Sequence, residues 1–172
     1  NLDLAEWYLN QGVSLGSSDC MCLLGHFYST FGKRSFTRAA IMYRKAYDLD
    51  CVEAASHLGD LCFAFWLAGD LSSLSEAYSD LAEGPLLLSR AVAALDMNDY
   101  FFVMKSEDAL RAALNWYSIG AEAEDARACF KLGVFTVKRY VEWGDERTGL
   151  AMLEKAVSLG LADAAEFLAL RG

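Results

Sequence analysis

The chain has 172 residues, 55% of them hydrophobic, a single proline and a formal net charge of −9. That length and apolar content suffice for one ordinary domain, while no apolar run reaches the roughly 18 to 20 residues that span a bilayer. The charge is concentrated in residues 51–104, where eight acids face one base, Arg90, for a net −7; such a stretch repels phosphate backbones and excludes nucleic acid as the principal ligand.

Residues 2–15 read as a helix with Ala5, Tyr8, Leu9 and Gly12 on one face, because positions three, four and seven apart lie over one another on a 3.6-residue helix. It has the pattern of the second helix of a truncated repeat, so the chain is expected to be a piece of a longer one. Ser17, Ser18 and Asp19 supply an N-cap for a helix over 20–30. Gly32 and its charged neighbours Lys33 and Arg34 turn the chain, Ser35 to Thr37 cap a helix over 38–49, and 50–67 forms its partner. The segment 68–75, with Gly69, Asp70 and three serines, is a turn. From Leu74 the pattern loosens; Pro85 falls near a helix start, where its missing N–H costs nothing. The connection LDMNDYFFVMKSED over 95–108 places Tyr100, Phe101 and Phe102 consecutively, and three consecutive aromatics cannot share one helical face. They either fill the core between repeats or form a partner-binding ridge. Residues 107–121, 125–141, 146–159 and 162–170 then give four helices, with Gly160 as a C-cap.

One frame recurs along this series. Ala113 is followed by Trp116, Tyr117 and Gly120, then by Leu132 and Gly133; Ala39 by Met42, Tyr43 and Ala46, then Leu58 and Gly59; Ala5 by Tyr8, Leu9 and Gly12, then Leu24 and Gly25; Gly149 by Met152, Leu153 and Ala156, then Leu168 and Ala169. The step from anchor to leucine is nineteen residues each time, and a degenerate copy starts at Leu74, with Ala93 and Ala94 in the leucine and glycine places. Anchors at 5, 39, 74, 113 and 149 are 34, 35, 39 and 36 residues apart, a period that signals stacked helix pairs. Small residues facing large ones let antiparallel helices interdigitate, and Gly133 removes a side chain where the crossing is tightest. The expected fold is all-α, a right-handed alpha-alpha superhelix (solenoid) of about four helical hairpins, forming one body over residues 1–172.

No catalytic arrangement stands out, and neither an enzymatic activity nor a cofactor is expected. The two histidines, His26 and His57, each lack a second histidine at metal-ligand spacing, and HExxH is absent. Gly32-Lys33-Arg34-Ser35 lacks the earlier glycine of a phosphate loop. The cluster Lys33, Arg34, Arg38, Arg44 and Lys45 reads as a solvated face, and acids such as Asp145 and Glu146 complement a helix dipole. Five cysteines, at 20, 22, 51, 62 and 129, make no disulfide framework: Cys20-x-Cys22 lacks CxxC spacing, and Cys51 and Cys62 lie too far apart along one helix. The thiols are expected reduced and metal-free, which points to a reducing compartment such as the cytosol.

At these residues the chain resembles the Sel-one-like repeat (SLR) family, relatives of the tetratricopeptide repeat. The family pattern, roughly A-x-x-W-Y-x-K-A, a glycine, then A-x-x-x-L-G-x-x-Y, appears as Ala39, Met42, Tyr43, Lys45, Ala46, Ala54, Leu58 and Gly59; as Ala113, Trp116, Tyr117, Ala128, Leu132 and Gly133; and as Leu24, Gly25 and Tyr28. It departs from that pattern where Asp50 and Glu124 occupy the glycine place. The resemblance implies a non-enzymatic protein-protein interaction scaffold or adaptor. Leu81-Ala82-Glu83, then Ala93-Ala94-Leu95 and the ALNWY hairpin, look like the SLR subunits of Hrd-type ubiquitin ligases, which implies substrate recruitment in ER-associated degradation and a lumenal setting.

The partner surface is expected on the helices that carry the leucine-glycine pairs, at His26, Ser29, Ser56, Asp60, Phe63, Phe130, Val134 and Lys138, or on the Tyr100–Phe102 ridge. In a stack these residues share a concave face suited to another protein or an extended or helical peptide, and the acidic middle favours a basic one. The competing expectation is a structural subunit built into a large complex without a separable ligand, since uncapped repeats seek neighbours.

Overall fold

The computed structural model describes residues 1–31, 36–68, 106–138 and 144–171. All regular structure in them is helical: α1 (Leu2–Ser14), α2 (Ser18–Thr30), α3 (Phe36–Tyr47), α4 (Glu53–Ala68), α5 (Ser106–Glu122), α6 (Ala126–Val137), α7 (Glu146–Ser158) and α8 (Ala162–Ala169). The degenerate copy from Leu74, Pro85, the 81–95 run and the Tyr100–Phe102 ridge lie outside the described residues. The chain forms two compact units, residues 1–113 and 114–172.

Four helix-to-helix corners share one geometry, because each is the same hydrogen-bonded C-cap. After α1, α3, α5 and α7, one residue takes a left-handed conformation: Gly16 (φ 81°), Asp50 (φ 62°), Glu124 (φ 62°) and Gly160 (φ 91°). All four stand eleven places after their anchors. Each donates its N–H three residues back, to Val13, Tyr47, Ala121 and Val157, and the next residue donates five back, Ser17 to Gly12, Cys51 to Ala46, Asp125 to Gly120 and Leu161 to Ala156. This pair of bonds is the Schellman motif, which satisfies carbonyls that the helix end leaves without intrahelical partners. The family-pattern departures at Asp50 and Glu124 therefore change the residue while the backbone keeps its course. At two corners the residue after the left-handed one also caps the next helix: Ser17 Oγ accepts from the Cys20 N–H at 3.2 Å and Asp125 Oδ2 from the Ala128 N–H at 3.0 Å.

In the first unit α2 packs most extensively on α3, with α1 against α2 and α4 against α3. The core is the pattern read from the sequence: Leu24, Ala39, Tyr43, Ala46, Ala54 and Leu58 are all essentially inaccessible. Gly25 exists to seat Tyr43, since a Cβ there would meet the ring at 2.7 Å. Tyr28 ties three helices together. Its hydroxyl donates to Glu6 Oε1 of α1 at 2.8 Å, and the Arg38 guanidinium of α3 lies 5.5 Å from its ring centre. The Ala5 stripe is the exception to the burial pattern. No residue of α1 is buried, and Trp7 and Tyr8 are more than half exposed, because no described helix covers that face.

In the second unit α6 packs on α7 and α7 on α8. Trp116, Tyr117, Leu132, Leu153 and Ala156 are buried as their spacing requires, with Tyr117 against Phe135 at 5.7 Å. Cys129, Ala156 and Ala164 form a cluster on which Ala121, Phe130 and Leu161 close. Asp145 caps α7, accepting from the Thr148 N–H at 2.7 Å and its hydroxyl at 2.6 Å; these bonds hold its carboxyl below the ordinary carboxylate range.

Candidate functional site

A helix presents to solvent whatever its packing stripe leaves over, and in α2 the leftover face is Asp19, Leu23, His26 and Thr30, all exposed. Leu23 is 57% exposed and Phe31, just past the helix end, 49%. In α4 the corresponding face runs Glu53, His57, Asp60 and Phe63, exposed at its start and half-buried beyond. Rings join the two faces. His26 and His57 approach to 6.1 Å between centres, His26 also meets Phe31 at 6.1 Å, and His57 lies flat on Tyr43 at 4.8 Å with 12° between planes. Ser29 Oγ, one turn along α2, is 3.3 Å from the Tyr43 hydroxyl. Neither α2 nor α4 carries a lysine or arginine, and three carboxylates, Asp19, Glu53 and Asp60, border the apolar groups. This surface can hold a chain segment that offers apolar side chains and positive charge.

Of the expected partner-binding residues in the first unit, His26, Ser29, Asp60 and Phe63 thus fall on this surface. Ser56 does not: only 1% of it is accessible, so it belongs to the packing between helices. Its spacing misled because 56 lies one position, about 100° of helix, away from the outward His57. In the second unit Phe130, Val134 and Lys138 share a face of α6, but Phe130 is half-buried edge-on against Phe167 at 6.1 Å and so contributes to packing against α8. That face also carries Arg127 and Lys131, so it is cationic where the α2–α4 surface is anionic. The two faces therefore differ in the sign of their charge. Tyr100 and Phe101 lie outside the described residues.

Two neighbour pairs escaped the sequence reading. His26 and His57 are one; the other is Cys22 with Cys51, which stand near enough to influence each other although one is on α2 and the other at the α3–α4 corner. Burial, and then the neighbouring Cys51, push the Cys22 thiol up to about 12. The repeat period was the available signal: adding 34 to His26 gives Asp60, one helical turn from His57. No disulfide joins any of the five cysteines. Of the basic cluster, Lys45 is exposed and Arg44 pairs with Asp48 at 2.9 Å, while Lys33 and Arg34 lie outside the described residues. Among the described residues no three or more His, Cys, Asp and Glu gather to hold a metal ion, and no helix is long and apolar enough to cross a membrane.

Comparison with known proteins gives no match to any family profile or curated protein. Among solved structures the chain is similar to a Sel1 repeat protein from Oxalobacter formigenes, at 19% identity and a TM-score of 0.35, over 95% of this chain and 67% of that one. It is likewise similar to a protective antigen of uropathogenic Escherichia coli strains that displays an SLR fold, at 18% identity and a TM-score of 0.36, over 92% of this chain and 34% of that one. The chain thus spans about two thirds of the first protein and a third of the second.

Proposed function

We propose that this chain is a non-enzymatic protein-interaction scaffold whose α2–α4 surface receives a basic, partly apolar segment of another protein. The observation that carries this reading is the composition of that surface: Leu23, Phe31 and Phe63 stand among Asp19, Glu53 and Asp60, with no lysine or arginine on either helix. Apolar anchors supply affinity and the carboxylates steer a cationic partner. The test is photo-crosslinking from a probe residue at position 63, with a probe at Lys45 on α3 as control. A partner captured from position 63 and not from 45 supports the reading, and equal labelling from both refutes it.

A second reading, a structural subunit built into a large complex, is favoured by the apolar exposure of α1, where Leu2, Leu4, Trp7 and Tyr8 are all more than half accessible. The narrower role of substrate recruitment in an ER-associated-degradation ubiquitin ligase draws its support from the 81–95 run and the ALNWY hairpin. Co-purification of ubiquitin-ligase components with the full-length protein tests it, and their absence from a stable complex counts against it.

A further inference from the structure

Thirty-one positions separate the chain's two histidines, and the fold sets their rings side by side across α2 and α4. His57 is held: its ring lies flat on Tyr43 at 4.8 Å, and Tyr43 is itself seated over Gly25 with its hydroxyl 3.3 Å from Ser29 Oγ. His26 is exposed, with its ring centre 6.1 Å from that of His57 and the planes inclined by 49°. With metal–nitrogen bonds of about 2.0 to 2.1 Å, two imidazoles on one tetrahedral ion stand roughly 5 Å apart between centres. The pair thus stands about 1 Å wider between centres than that, and His26, the exposed ring, is the one with room to move. The surroundings welcome a cation, because Glu53 and Asp60 stand one turn before and after His57, and neither helix bears a lysine or arginine.

We propose that His26 and His57 form a two-imidazole site for a divalent transition-metal ion of the imidazole-preferring kind, such as nickel, zinc or copper. No third His, Cys, Asp or Glu is gathered with them among the described residues, so water completes the coordination. An ion bound there ties α2 to α4 across α3. The site goes beyond the partner-binding reading and does not depend on it.

Calorimetric titration of the full chain with nickel chloride at neutral pH tests the proposal. The variants are His26→Ala, His57→Phe, which keeps a ring on Tyr43, and a Cys22→Ser/Cys51→Ser double substitution, each checked for helical content by circular dichroism. The expected result is one ion per chain, with affinity falling about a hundredfold when either imidazole is removed, since one anchored ligand raises the effective concentration of the other. The cysteine double variant keeps the wild-type affinity, and acidification to about pH 5 releases the ion because imidazole binds metal only when deprotonated. No uptake by the wild type, unchanged affinity in either histidine variant, or loss of uptake in the cysteine double variant overturns the proposal.

Discussion

Gly133 and Gly149 face each other across the α6–α7 crossing so closely that a methyl group on either meets the carbonyl oxygen of the other, at 2.9 Å from position 133 and 3.0 Å from position 149. Backbone cannot yield as a flexible side chain does, so this contact fixes how near the two helices lie. Gly133→Leu is expected to cost about 1 to 3 kcal/mol or more through overpacking. Urea denaturation followed by circular dichroism measures it, and a loss within error of zero contradicts the close crossing.

The four corners give a prediction with opposite signs. Asp50 and Glu124 hold left-handed backbone that disfavours a Cβ, while Gly16 and Gly160 hold it without that cost and with open space around them. Asp50→Gly and Glu124→Gly are each expected to stabilise the chain, by about 1 kcal/mol; Gly16→Ala and Gly160→Ala are expected to destabilise it by a similar amount. Denaturation midpoints of the four variants decide this, and a uniform sign across them rules out the shared conformation.

Replacing Tyr28 by Phe removes the hydroxyl that donates to Glu6 and keeps the ring under Arg38. The expected cost is about 1 kcal/mol, the usual net worth of one hydrogen bond. Glu6→Gln keeps an acceptor and should cost less, so equal losses in the two variants would assign the effect to charge.

Cys22 makes stability depend on alkaline pH. In the unfolded chain its thiol ionises around its ordinary 9.0, whereas burial, with Cys51 beside it, keeps the folded thiol protonated up to about 12. A group whose folded pKa is raised contributes stability that is complete below the unfolded pKa and is lost as pH climbs towards the folded one. Wild-type stability should therefore fall from about pH 9 upward, with Cys22→Ala showing a shallower decline. Equal slopes in denaturation midpoints between pH 8 and 11 would place the alkaline loss elsewhere.

The fold was legible wherever packing is local in sequence. Ala39, Tyr43, Leu58, Ala113, Tyr117 and Leu132 are buried because a helical stripe specifies its own face, and the nineteen-residue step carries that stripe across each corner. The α1 stripe reads the same way yet lies open, since burial of a face also requires a neighbour that its own sequence does not describe. Site residues were harder. His26, Asp60 and Phe63 followed from their offsets to the leucines, but Ser56 missed the outward face by one position and is buried. The contacts of His26 with His57 and of Cys22 with Cys51 cross between elements of neighbouring repeats, where no intrahelical spacing signals them.

The α2–α4 surface as a receptor for a basic, partly apolar segment is tested most directly by titrating the partner crosslinked from position 63 against wild type and an Asp60→Lys/Phe63→Ser variant at two salt concentrations. Wild-type affinity should fall as salt rises, because exposed charges are screened over about 10 Å at 0.1 M. The double variant should bind at least tenfold more weakly, a loss of about 1.4 kcal/mol, with its helical content unchanged. Equal affinity for a folded double variant, or binding indifferent to salt, would contradict the account.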